Sequence, residues 1–217
     1  MTDRRLARTA GILYLLTFAT SIPALALKSP VLAGSTAADA ATLARAGALL
    51  EVVLAVACVG TAVALFPLLR RAVPALALGF VASRVLEAGL VLLGIAALLV
   101  VVTTGDPAAV ALHDAAFLLG PGLLPAVNAL LLGTALLRTR LVPRLIPVVG
   151  LIGAPLLLVS AGATLLGVFD QVSPVAALLA LPIAVWEFAL GVWLTVRAVP
   201  GTPRRSPSQR RGAPVLS

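Results

Sequence analysis

Arg84 and Glu87 stand three residues apart in the apolar run from Val73 to Val102, a spacing that puts both on one face of an α-helix. A guanidinium and a carboxylate side by side can lock each other, hold an anionic group, or tune an acid that carries a proton. Two more carboxylates, Glu51 and Glu187, lie inside other apolar runs. Ionisable groups in hydrocarbon face protein or a cavity and mark paths for protons, ions or ligands. Together the four oppose insertion by about 10 kcal/mol, at roughly 2.5 to 3.5 kcal/mol each. Arg84 keeps its proton and can pair with one or two carboxylates, so at least one of the three glutamates has no permanent counter-ion. That carboxyl is expected to hold a proton or to await a cation. The competing expectation is a network that only locks the second, third and sixth helices in register. Asn128 and Trp186, inside the fourth and sixth runs, join Glu51, Arg84, Glu87 and Glu187 as expected ligand- or proton-site residues. His113 and Asp114 are secondary candidates on the outer side, where an interfacial histidine more often belongs to solvated helix surface.

Six apolar runs must position these groups. Asp3, Arg4, Arg5 and Arg8 precede a first span from Thr9 to Leu27. A positive start, an apolar stretch and Ala24-Leu25-Ala26 also fit a secretory signal, but the run exceeds a usual signal core and is expected to stay as a helix. Lys28 to Ala38 reads as an outer loop, with Thr36 and Asp39 spaced as a capping pair for the second helix. That helix carries Glu51 and stops at Arg70-Arg71, and Pro74 opens the third, which ends near Gly105. Pro107 to Leu119 is too short to span and reads as an interfacial or partly re-entrant helix before a break at Gly120-Pro121-Gly122. Leu123 to Leu137, Leu145 to Phe169 and Pro174 to Val199 are the fourth, fifth and sixth spans, the fifth with Gly150, Gly153, Gly162 and Gly167 for close helix approach. The expected fold is therefore all-α: a polytopic membrane bundle of six transmembrane helices plus that short interfacial helix, one domain over residues 1–199. Residues 200–217, with Arg204, Arg205, Arg210 and Arg211 among Pro and Ser, read as a disordered basic tail.

Composition agrees. The 217 residues are 61% hydrophobic and only 11% charged, with mean hydropathy +1.13, far from the soluble range. The formal charge of +8 falls in short clusters between spans, as the positive-inside rule requires, and so indicates topology and anionic lipid, with no role for nucleic acid. With six spans both termini lie on one side, expected to be the cytoplasmic face of the cell membrane. The single cysteine, Cys58, excludes an internal disulfide and any CxxC motif. One histidine excludes a bis-His haem site, and zinc, P-loop, nucleophile-elbow and dinucleotide motifs are missing, so no cofactor and no metal are expected.

Glutamates recur in a pattern. Leu50-Glu51-Val52-Val53-Leu54, Leu86-Glu87-Ala88-Gly89-Leu90 and Trp186-Glu187-Phe188-Ala189-Leu190 share an apolar residue, glutamate, two residues, then leucine. An inverted repeat of three plus three spans would relate the third and sixth.

Arg8-Thr9-Ala10-Gly11-Ile12-Leu13-Tyr14-Leu15-Leu16-Thr17-Phe18, Thr139-Arg140-Leu141-Val142-Pro143-Arg144 and Leu181-Pro182-Ile183-Ala184-Val185-Trp186-Glu187 resemble a family of bacterial multi-pass membrane proteins, domain of unknown function four-three-eight-six. The resemblance covers Arg5 to about Val199 and implies an integral membrane bundle that keeps its first helix. It implies no reaction. Three functions fit the residues: a buried polar site for a small molecule or cation with proton-linked transport; an intramembrane enzyme using a protonated glutamate as general acid on a lipid or isoprenoid, with Trp186 and Phe80 as cation-stabilising faces; or a non-catalytic membrane partner subunit. The bilayer is the one partner composition requires; a small-molecule or lipid-like ligand is the other, and oligomeric state is not legible.

Overall fold

In the computed structural model, residues 3–197 are described and every regular element is a helix. The elements are α1 (Asp3–Leu32), α2 (Ala40–Leu69), α3 (Pro74–Thr104), α4 (Pro107–Leu119), α5 (Leu124–Thr139), α6 (Leu145–Leu165) and α7 (Pro174–Arg197). The expected basic tail, 200–217, lies outside the described residues.

Local chemistry sets several ends. Pro74, Pro107 and Pro174 each open a helix, where the missing N–H has no intrahelical partner to lose. Asp106 caps α4, its side chain accepting from the Ala108 amide at 2.8 Å. Gly105, left-handed at φ 67°, ends α3. α6 ends at Leu165, four residues before the expected Phe169, and Gly167, at φ 72°, turns the chain just past it, with the Gly167 and Val168 amides donating back to the carbonyls of Thr164 and Ala163.

The start of the chain departs from expectation. Lys28 is not in a loop: α1 continues through it to Leu32, and Lys28 is among the most buried side chains of the described residues. The helix can continue because the Lys28 ammonium meets a carboxylate from α2 inside the protein, so its charge does not force an exit to water. The connection to α2 shortens accordingly, and Asp39 occupies the N-cap of α2 without a side-chain capping bond, so Thr36 and Asp39 form no capping pair.

Helices pack as a closed ring: α1 against α2 and α7, α2 against α3, α3 against α4 and α5, α5 against α6, and α6 against α7. Successive long helices alternate in direction, so α1 begins and α7 ends on one face, called here the terminal face; the other is the far face. The short helix α4 enters from the far face beside α3. A Cβ on Gly94 would lie 3.9 Å from His113, and one on Gly120, just past the end of α4, 2.9 Å from the Leu90 Cβ. Thus α4 descends to the level of Glu87, the backbone breaks there, and α5 completes the fourth crossing.

The bundle is inverted in polarity relative to a water-soluble protein. Leu49, Val56, Leu78 and Leu178 are 62–70% exposed on the outside, while Arg84 and Lys28 inside are 2% and 1% exposed. Six segments, with α4 and α5 together making one, are long and apolar enough to cross a membrane. Close approach depends on small residues. At the α6–α7 contact a Cβ on Gly150 would fall 2.5 Å from Cδ2 of the fully buried Trp186, and at the α1–α7 contact one on Gly11 would fall 2.6 Å from the Thr195 amide nitrogen.

Trp186 cannot retreat from that contact, being enclosed by the core. Gly150→Ala is therefore expected to destabilise the detergent-solubilised protein by about 1–3 kcal/mol through overpacking. Pairing it with Trp186→Phe should recover part of the loss; thermal unfolding of the two variants against wild type makes the check.

Candidate functional site

Arg84 projects from the middle of α3 into the ring, where side chains from four other helices surround it or its partners. Its Nη1 donates to Glu87 Oε2 at 2.9 Å and its Nη2 to Glu187 Oε1, on α7, at 3.4 Å. Nη1 also lies 3.7 Å from the Cys58 sulfur on α2. The guanidinium carbon sits 5.0 Å from the Tyr14 ring centre, on α1, and 5.8 Å from that of Phe80, within cation–π range. Asn128, fully buried near the start of α5, donates from Nδ2 to Glu87 Oε2 at 2.6 Å. One guanidinium is thus shared by two carboxylates, one held by two short bonds and the other by a single long one. The bidentate fork of arginine makes such sharing possible.

A cavity of about 200 Å³ touches this cluster. Arg84, Glu87, Glu187, Cys58, Thr17 and Ser21 supply its polar wall, and Pro121 in the α4–α5 break and Pro125 in the first turn of α5 also line it. Tyr14, Phe80 and Asn128 are not in that wall; they brace the charged groups from behind. Among the described residues, Tyr14 Oη, Arg84 Nε and Asn128 Oδ1 are buried with no hydrogen-bond partner, unused polar capacity beside the charged groups.

Glu51 is not part of this cluster. It lies about 17 Å along α2 from the helix start, nearer the far face, and its carboxylate pairs with Lys28. The expectation that Glu51, Glu87 and Glu187 converge on Arg84 therefore holds in space for two glutamates and fails for the third. The reason is Lys28, which reading by hydropathy assigns to a loop. Lys28 also sits 4.7 Å over the Phe117 ring; Phe117 in turn stacks on His113 at 6.2 Å. His113 is buried rather than solvated, and its Nδ1 lies 3.0 Å from Asp114 Oδ1. Lys28, Glu51, Phe117 and His113 thus form a second polar cluster on the far-face side of the first.

Trp186 does not line the cavity. It is fully buried against Gly150, with its indole N–H unpartnered among the described residues. Phe80 is likewise enclosed and faces Arg84. Sequence reasoning missed Lys28, Tyr14 and Cys58. Lys28 could have been suspected because it stands between Ala24 and Val31 at i, i+4, i+7 spacing, inside an apolar face that continues past it, whereas Tyr14 and Cys58 carry no sequence signal that separates them from core packing.

An outward-facing apolar surface around an enclosed set of charges defines a polytopic helical membrane protein. The model of the family described as domain of unknown function DUF4386 matches residues 9–198, and the chain belongs to that family. No curated protein and no solved structure matches it.

Removing one partner of the Lys28–Glu51 pair strands a buried charge. Glu51→Leu should therefore lose about 3–5 kcal/mol of stability, and Lys28→Met combined with Glu51→Leu should regain most of it. Thermal unfolding in detergent of the single and double variants provides the comparison; additive losses would contradict the pairing.

Proposed function

We propose that the Arg84, Glu87, Asn128 and Glu187 cluster is a proton- or cation-exchange site serving transport of a small molecule across the membrane. The observation that carries this reading is the sharing of one guanidinium by two carboxylates beside a cavity. When both acids are ionised the trio has one negative charge in excess, and one added proton or monovalent cation neutralises it. Glu187 is the exchanging group, since its only hydrogen-bonded partner among the described residues is Arg84 at 3.4 Å and its side chain is the more accessible of the two acids. Glu87, fixed by Arg84 and Asn128, is the permanent counter-ion. An anion-holding role for Arg84 fits less well, because both its terminal nitrogens already face carboxylates.

The intramembrane-enzyme reading is weaker on the same geometry, since Trp186 and Phe80 do not present faces to the cavity. For orientation, the terminal face is assigned to the cytoplasm of the cell membrane, because Arg4, Arg5, Arg8, Arg70, Arg71, Arg138, Arg140 and Arg144 all fall at helix ends on that side.

Glu187→Gln keeps the shape of the side chain and removes the exchangeable charge. Acid–base titration of purified protein should show wild type taking up one more proton per chain than Glu187→Gln, with the matching carboxyl stretch missing from the variant's pH-difference infrared spectrum. Glu87→Gln should unfold more readily, because the acceptor shared by Asn128 and Arg84 loses its negative charge. Identical proton uptake by wild type and Glu187→Gln would end the reading.

A further inference from the structure

The 200 Å³ cavity does not stand alone. It shares Pro121, Leu157 and Ala180 with a second cavity of about 470 Å³. That one shares Phe117, Thr164 and Gln171 with a third, of about 460 Å³, reaching Asp114 and Asp170 at the far face. The three form a string between the α4–α5 break and the α6–α7 pair, from the far face to Glu187. Only the two ends carry acidic groups: Asp114 and Asp170 at the entrance, Glu87 and Glu187 at the bottom. The middle cavity has no charged residue in its wall, which is mostly Leu, Ala, Val, Pro and Phe, with Ser160, Thr164, Gln171 and Ser173 as its polar side chains.

The shape and charge select a ligand class. Two adjoining cavities of 470 and 200 Å³ are in the size range of sites for drug-sized molecules. An apolar chamber suits a hydrophobic body, and an end wall with one negative charge in excess suits one positive charge. Anions would meet acidic groups at both ends. A strongly hydrated metal ion would gain nothing from the apolar chamber, which offers too few oxygen ligands to replace its water.

We infer that the protein binds hydrophobic monocations from the far face, the apolar body in the 470 Å³ cavity and the cationic centre against Glu187, in exchange for a proton. The inference rests on the proposed exchange role of Glu187 and adds the substrate class and the route. Charge balances simply: the Glu187 carboxyl releases its proton to solvent as the cation arrives, and takes one up as the cation leaves. No bond other than O–H is broken.

Tetraphenylphosphonium and tetraphenylborate have nearly the same shape and opposite charge, and so separate charge recognition from greasiness. With purified protein in detergent and weak buffer, tetraphenylphosphonium should bind saturably and release about one proton per cation bound. Tetraphenylborate should not bind saturably. Glu187→Gln should weaken cation binding tenfold or more and abolish the proton release. Ala161→Phe, in the wall of the 470 Å³ cavity and outside that of the cavity holding Glu187, should weaken cation binding while leaving the Glu187 proton titration intact, which keeps the test sound if Glu187→Gln folds poorly. Equal binding of the two ions, or cation binding unchanged in Ala161→Phe, would overturn the inference. Absence of cation binding with the Glu187 titration preserved would also overturn it, and would leave the proton-exchange reading standing.

Discussion

Enclosure of the Arg84 guanidinium is the constraint on which the rest of the bundle depends. A permanent positive charge 2% exposed in a membrane interior is tolerable only if counter-charge and polarisable groups gather round it. The answer is spread over the ring: Glu87 in the same helix, Glu187 from α7, the Cys58 sulfur from α2, and aromatic faces from Tyr14 on α1 and Phe80 on α3. Asn128 on α5 joins at one remove, through Glu87. The same demand that makes the charge costly to bury also draws helices distant in sequence to a common centre.

Two features of the backbone let this happen. Glycines at the α1–α7 and α6–α7 contacts bring those helices close enough for a Trp186 ring to lie on bare backbone at Gly150. The break at Gly120-Pro121-Gly122 ends α4 beside Glu87 and starts α5 with Asn128 in its second turn. Irregular backbone at that depth is tolerated where it lines a cavity, and Pro121 and Gly122 do line one.

The two ion-paired clusters differ in stoichiometry, and the proposed exchange role rests on that difference. Lys28 and Glu51 are matched one to one and are nearly inaccessible, as a purely structural pair would be. Arg84 faces two acids, one of them partly accessible and loosely held. A matched pair has no capacity left for another charge. An unmatched trio does.

Composition and hydropathy alone determined that the chain is an all-helical membrane bundle, where most of its spans run, and that buried carboxylates must outnumber the intramembrane arginine. These properties are local: the length of an apolar run, a proline at a helix start, or the i, i+3 spacing of Arg84 and Glu87 needs no knowledge of neighbours. Tertiary structure alone decided which acid shares Arg84. Glu51 and Glu187 sit in similar apolar settings, yet one faces Lys28 across the α1–α2 contact and the other faces Arg84 across the ring. It also decided that Lys28 is inside and that Trp186 is core. Partner choice depends on which helices are adjacent and at what depth their side chains meet, and neither quantity is encoded in the periodicity of any single segment.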